Sequence, residues 1–599
     1  MNIIAGTIYR NVYGGGNDIT ADTLVNTPRG VNGSNVVMTG GTVLGGVYGG
    51  CNEKGSVATD ALVTIQSGTI GSQTQLSHDT VANVFGGGLG ANTKVAGNVT
   101  VNFGNKPTTP GAPNANLKLY GDIYGGSALG SVNTTVVNVL DGTLFSKTDT
   151  LDILVNHMPT GRKYVLYTGG NVFGGGLGEE GVTTKGRVYG KIEVNIGAPN
   201  STRGLDPVND TCVGNATIGG SVYGCNNTGG SPQDDVEVNI YRTYRRDKDQ
   251  ITYIDEDATY AIANVFGGGN KANYTATDKT ATVNIASCYN TIRRVFGGSN
   301  AAEAPHVTTK IQGGRFAEVF GGGNGEVQAA NITGNVNLEI HGGIVGEFFV
   351  GSNQNGTISG TSNVTVDQTS GCEEVSITEF YCGGKYADFV GNIEATITCS
   401  EGMHVTNLYG GCKEAHVKAG NGGSGNIHLI VKGGTFENVY GGSKGTTTKG
   451  ADIQGNVLLE IFGGTVTNAI FGGSNVKGAI GGSITVNVEQ KSGADYCPLD
   501  VSLADVYGGG NQADYPGVPT EGGPITAPNT HPSPYDYPQV NIKNATVKNV
   551  FGGGLEAKVT GNPQILIKKG SKISGNVYGG GNMGEVIGDP KVIINGKLE

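Results

Sequence analysis

The stretch that decides the fold is residues 453–475, IQGNVLLEIFGGTVTNAIFGGSN. Val457-Leu-Leu-Glu-Ile461 alternates apolar and polar side chains, the period of a strand with one buried face. Gly463-Gly464 marks a sharp corner, where glycine supplies positive φ. Thr465-Val466-Thr467 is a second short strand. Asn468, Ile470 and Phe471 lead into the turn Gly472-Gly473-Ser474-Asn475. Segments such as Ala557-Lys-Val-Thr-Gly561 then return the chain to the next first strand.

The closing phrase, an apolar residue, then Phe or Tyr, then glycines and often Asn, recurs seventeen times. Its aromatic falls at Tyr13, Tyr48, Phe85, Tyr124, Phe173, Tyr223, Phe266, Phe296, Phe320, Phe349, Tyr381, Tyr409, Tyr440, Phe471, Tyr507, Phe551 and Tyr578, 24 to 50 residues apart. A unit of this size cannot bury its apolar face alone and must stack on its neighbours. Strands this short pair with the same segment of the next coil, in parallel. The expected fold is all-β: a right-handed parallel β-helix (β-solenoid) of about seventeen coils, with three short strands in each. Residues 1–599 read as one continuous solenoid. Loop insertions are expected near 146–167, 201–214, 241–260 and 514–538, the last holding seven of the nineteen prolines.

Three residues after the aromatic stands Gly, Ser or Cys in every unit but one, so that slot takes only small side chains. One residue further, Asn17, Asn52, Asn227, Asn270, Asn300, Asn324, Asn353, Asn475, Asn511 and Asn582 predict an asparagine ladder. A second Asn column, including Asn11, Asn83, Asn171, Asn264, Asn407, Asn438, Asn549 and Asn576, lies two residues before the aromatic. Free exchange of Tyr for Phe implies that the ring edge meets water or a polar partner. The column is read as a structural ladder that could stack on sugars if exposed.

Composition narrows the function. Glycine is 107 of 599 residues, against ~7% in ordinary proteins. It has no strict three-residue period, which excludes collagen. The net charge of −11 is spread along the chain without a basic stripe, so nucleic acid is a poor partner. No apolar run approaches the ~18 residues of a membrane span. With neither a signal peptide nor a distinct capping segment in view, the chain reads as a fragment of a longer, extracellular or cell-surface protein.

Few motifs carry chemistry. Gly176-Leu-Gly-Glu-Glu-Gly181 matches a dinucleotide fingerprint, but no helix follows it. Cys399, His404, Cys412 and His416, with Cys372 and Cys382 nearby, lack a usual zinc spacing and are expected to be structural, in a reduced or neutral role. Cys212 and Cys225 could pair. Asp255-Glu-Asp257 could serve calcium or glycan cleavage, yet no column of carboxylates repeats in adjacent coils. No catalytic residue, metal site or cofactor is assigned.

The phrases Val319-Phe-Gly-Gly-Gly-Asn324 and Gly463-Gly-Thr-Val466 resemble large repeat proteins of gut anaerobic bacteria. They are also distantly similar to the β-helical passengers of adhesins and autotransporters. This resemblance implies a non-enzymatic structural or adhesive rod in a surface or secreted fibre. Its partners would be copies of itself, end to end, and host or microbial glycans or surface proteins. The alternative is a glycan-active β-helix enzyme or a tail-spike-like glycan binder, with its site in the 201–257 loops. An ice-binding rod would need flat Thr-x-Thr ranks, and the outward positions here are mixed.

Overall fold

The computed structural model describes residues 1–18, 30–109, 111–155, 158–199, 212–244, 260–368, 374–400, 402–518 and 536–595. Almost all regular structure is parallel β, as the repeat predicts. Among the described residues the one α-helix is Gln73–Ser77, capped by Ser72. The chain divides into two compact units, Met1–Asn337 and Leu338–Glu599.

In the first unit, the first strands of successive coils form one parallel sheet. It runs from Asn2–Ile3 through Ser34–Met38, Ala61–Ile65, Asn92–Phe103, Ser131–Val139, Ile192–Ile196, Val236–Ile240 and Thr280–Ile285 to His306–Ile311. Equivalent residues sit opposite one another: Val194, Val238 and Val283 form one row, and Asn195, Asn239 and Asn284 the next. The apolar rows are buried and the polar rows face outward, because strand side chains alternate. A second sheet is built from short segments such as Thr42–Val43, Leu117–Leu119 and Thr143–Leu144, and a third from the aromatic segments, Val12–Tyr13 onward.

The second unit repeats this plan. From Ile262–Phe266 in the first unit onward, the segment before the aromatic and the aromatic segment run as one longer strand, as in Thr291–Phe296, Gly464–Phe471 and Leu499–Tyr507, and they separate again at Lys572–Ile573 and Val577–Tyr578 in the second unit. Pairing in the second unit slips between Thr465 and Ala469. Its first strands form the sheet Ile393–Ile397, Ile427–Val431, Val457–Ile461, Ile484–Glu489, Gln539–Lys543, Gln564–Lys568 and Lys591–Asn595.

Glycine serves two different purposes at the corners. Gly464 has φ +90, the positive value expected of the Gly-Gly pair. Gly472, after the aromatic, has no such need: a Cβ there would lie 2.4 Å from the Gly508 carbonyl oxygen of the next coil. Close coil stacking, not backbone conformation, requires glycine at that position.

The insertion at 146–167 is an ordered antiparallel hairpin, Lys147–Val155 with Met158–Thr168, rather than an irregular loop. Most of the other three insertions, with Asp255, Glu256 and Asp257, lies outside the described residues.

Candidate functional site

The aromatic column faces inward. In the first unit the rings from Tyr13 to Phe320 stack in sequence, and in the second those from Phe349 to Tyr578 do so. Centroid spacings such as 4.9 Å for Tyr13–Tyr48 and 4.6 Å for Phe85–Tyr124 match the inter-strand repeat. Rings inside each run are buried, Phe296 wholly so, while Tyr578 is 45% exposed. Both faces of an interior ring are covered by neighbouring rings, which leaves no face there for a sugar.

Several of the tyrosine hydroxyls meet polar partners. Asn11 Nδ2 donates to the Tyr13 hydroxyl at 2.9 Å. Asn227 Nδ2 donates to Tyr124, two coils earlier, at 2.8 Å, and Asn475 Nδ2 to Tyr409 at 2.9 Å. Asn582 stands 3.5 Å from the Tyr507 hydroxyl in the same relation.

The asparagine ladder runs in segments. Asn52 donates to Asn17, and Asn270, Asn300 and Asn324 each donate to the Asn one coil before, beginning at Asn227. Asn511 donates to Asn475. Asn353 is buried in its own coil. In the adjoining small-residue slot, serine hydroxyls accept backbone N–H groups from the coil before: Ser443 Oγ from Cys412, Ser474 Oγ from Ser443. The column two residues before the aromatic also bonds along its length, as in Asn438 to Asn407 and Asn264 to Ser221.

A third ladder was not anticipated. On the first-strand sheet, Asn138, Asn195, Asn239 and Asn284 each donate to the Asn one coil before, beginning at Asn102. Its signal was present in the Val-Asn pairs Val101-Asn102, Val137-Asn138, Val194-Asn195, Val238-Asn239 and Val283-Asn284, at one place in five successive first strands.

Two of these columns carry charge where asparagine is missing. Lys385, Lys413 and Lys444 occupy the ladder slot in three consecutive coils. Glu347 and Glu379 occupy the slot two residues before the aromatic. Lys385 Nζ lies 3.2 Å from Glu347, which Lys413 also pairs, and Lys444 Nζ lies 2.5 Å from Glu379. The Tyr381 hydroxyl donates to Glu379. Burial disfavours the Glu347 carboxylate, but Lys385 and Lys413 outweigh it and hold its pKa below the ordinary value. In the first unit, buried Arg294 pairs with buried Glu326 at 2.6 Å and donates to Asn264. Asp122 stands in the same slot, buried, accepting from the Asn171 backbone and side chain. Burial raises its pKa to about 6, against the pull of those hydrogen bonds.

The cysteine–histidine group does not converge. Cys399 is bonded to Cys497, 98 residues away, so the reduced role expected for it is corrected. Sequence distance conceals the pairing because Cys497 folds back onto an earlier coil, where its N–H donates to the Lys432 carbonyl. Cys412 is buried, its thiol pushed up to about 12 by desolvation. His404 is exposed beside Glu374, and His416 Nδ1 accepts from the Asp452 N–H. Cys372 lies outside the described residues. Cys225 is a buried free thiol, so the Cys212–Cys225 pairing does not form.

One interruption in the sheet leaves a cavity. In the second unit, the strands Ser362–Val366 and Ile393–Ile397 follow one another in the coil order, yet they belong to separate sheets. On the aromatic side the same coils stay paired, through Gly343–Phe349, Val375–Tyr381 and Met403–Tyr409. Between the two unpaired strands lies a cavity of about 430 Å³, lined by Val350, Ile358, Val364, Phe380, Phe389 and Ala395 among others.

Compared with known proteins, the chain matches no family model, no curated protein and no solved structure.

Proposed function

We propose that this chain is a non-enzymatic β-solenoid segment of a secreted or surface-displayed fibre. The observation that carries the reading is where its side chains go. Three asparagine-rich columns, the serine slot, the ring stack and the Lys–Glu cluster all bond from coil to coil. That chemistry is committed to cohesion along the stack. The Cys399–Cys497 disulfide supports an oxidising, extracellular setting. Self-association is part of the proposal, since the coils of one repeat carry matching strand edges that already pair in parallel along the stack.

The test is incubation of the purified chain with neutral and acidic polysaccharides, alongside a glycan array and light scattering over a concentration series. The reading expects no product release and concentration-dependent association. Product release that disappears in Asp255→Asn, Glu256→Gln or Asp257→Asn variants of demonstrated fold would establish the enzyme alternative instead. A strict monomer would remove the self-associating part.

A further inference from the structure

We propose that the segment 490–498, with the Cys399–Cys497 bond, is a redox-controlled stop against unwinding of the second unit under tension. The reason begins with the repeat. In a solenoid each coil is held by its neighbours, so an opening spreads from one coil to the next. Pulling on the chain unwinds it coil by coil unless a covalent bond spans several coils.

The segment 490–498 spans them. It follows the first strand Ile484–Glu489 and runs back along the corner, against the direction of winding. The Lys491 N–H donates to the Phe462 carbonyl, in the coil just before it, at 3.4 Å. The Cys497 N–H donates to the Lys432 carbonyl, two coils back, at 2.8 Å. The Cys497 sulfur is bonded to Cys399, three coils back. Tyr496 meets the Phe462 ring edge-on at 6.3 Å, and the Lys432 ammonium lies 5.3 Å from the centre of the Tyr496 ring. Gly433 leaves room for the bridge: a Cβ there would lie 2.6 Å from the Cys399 Cα and 2.8 Å from the Cys497 sulfur.

The loop so closed contains the first strands Ile427–Val431, Val457–Ile461 and Ile484–Glu489. Tension on the ends of the chain passes from Cys399 to Cys497 through the sulfur bond, and the residues between them carry none. The block also begins at the weakest rung of its sheet. Ile393–Ile397 has a ladder to Ile427–Val431 and, among the described residues, none to Ser362–Val366. An opening that starts at that rung reaches the bond at Cys399, just past Ile397. A dithiol removes the stop. Its thiolate attacks Cys399, which is partly exposed. Two electrons and two protons then pass to the two cysteines as the dithiol closes to its own disulfide.

The stop draws on the fibre reading only for the source of the tension. The experiment is force–extension of the whole chain held by its two ends, before and after dithiothreitol. The oxidised chain should fall short of the reduced one by roughly 330 Å, the length of the 98-residue separation when extended. The reduced chain should release that length in steps of about 100 Å, one coil each, at the same forces as coils outside the loop. Cys497→Ser should match the reduced chain without reductant. Adding dithiothreitol to one tethered wild-type molecule keeps the test decisive if that variant folds poorly. Equal extension of the oxidised and reduced chains would overturn the proposal. So would release of the reduced loop only at forces well above those of the other coils, because packing and not the bond would then be the lock. A strict monomer that shows the full difference would end the self-associating part of the proposed function and uphold the stop.

Discussion

Asn475 and Tyr409 are joined across two coils: the Asn475 Nδ2 donates to the Tyr409 hydroxyl at 2.9 Å. Tyr440, one coil later, is just as buried and its ring stacks in the same column at 4.8 Å. Tyr409→Phe should therefore cost about 1 kcal/mol, the net value of one hydrogen bond. Tyr440→Phe should be nearly silent, since Phe fills equivalent slots. Native-state hydrogen exchange in the surrounding coils separates the two; equal, large losses would contradict the distinction.

Phe471 is 3% exposed and sandwiched between Tyr440 and Tyr507, both at 4.9 Å. Phe471→Ala opens a ring-sized gap that stacked backbones cannot close. A local loss of about 3 kcal/mol or more is expected by the same measurement.

Asp122 sets a pH signature. Its carboxyl titrates at about 6 in the folded chain, above the ordinary 3.8, because it is buried. The folded state holds that proton more tightly than the unfolded state does. Stability therefore falls as pH rises from about 4 to 6, by ~3 kcal/mol, and levels off above. Asp122→Asn keeps an acceptor for Asn171, introduces the residue common in this column, and should stabilise the chain at pH 7. Thermal melts from pH 4 to 8 should show the wild-type decline and a flat profile for the variant.

Glu347 has the opposite sign. Its pKa is lowered in the folded chain, so its contribution is complete above the ordinary carboxylate pKa and is lost as pH falls through the folded value. Glu347→Gln removes the carboxylate paired with Lys385, whose side chain is 7% exposed, and should cost on the order of 3 kcal/mol at neutral pH. Adding Lys385→Met should recover much of that loss. A double variant no more stable than the single would sink the account.

Reducing the Cys399–Cys497 bond releases a constraint across 98 residues. Loop-closure entropy puts its value at about 4–5 kcal/mol. Added reductant should raise hydrogen exchange around Lys432 and Cys497, with no such change in the first unit's sheets.

The parallel stack was legible because its signals are local and repeated: period-two strands, corner glycines, and an aromatic whose neighbours are always apolar. The ladders at Asn270 and Asn300 followed from position alone. What was not legible depends on which coil lies beside which. The chain alone does not show that Lys413 answers Glu347, 66 residues earlier, or that Cys497 returns to Cys399. The unpaired rung at Val364 was hidden as well. Its sequence, Ser362-Asn-Val-Thr-Val366, alternates like its neighbours, and only the separation of the two sheets exposes it.

The Lys–Glu exchange has one more consequence. Coils marked by asparagine are nearly interchangeable, so a folding chain could lay one of them on a neighbour's neighbour at little cost. Such a skipped step would shift everything after it. Lys385, Lys413 and Lys444 fit only over Glu347 and Glu379 at fixed offsets, and a misplaced charge would be buried without its mate. These five residues act as an index mark, telling an otherwise monotonous winding which turn it has reached.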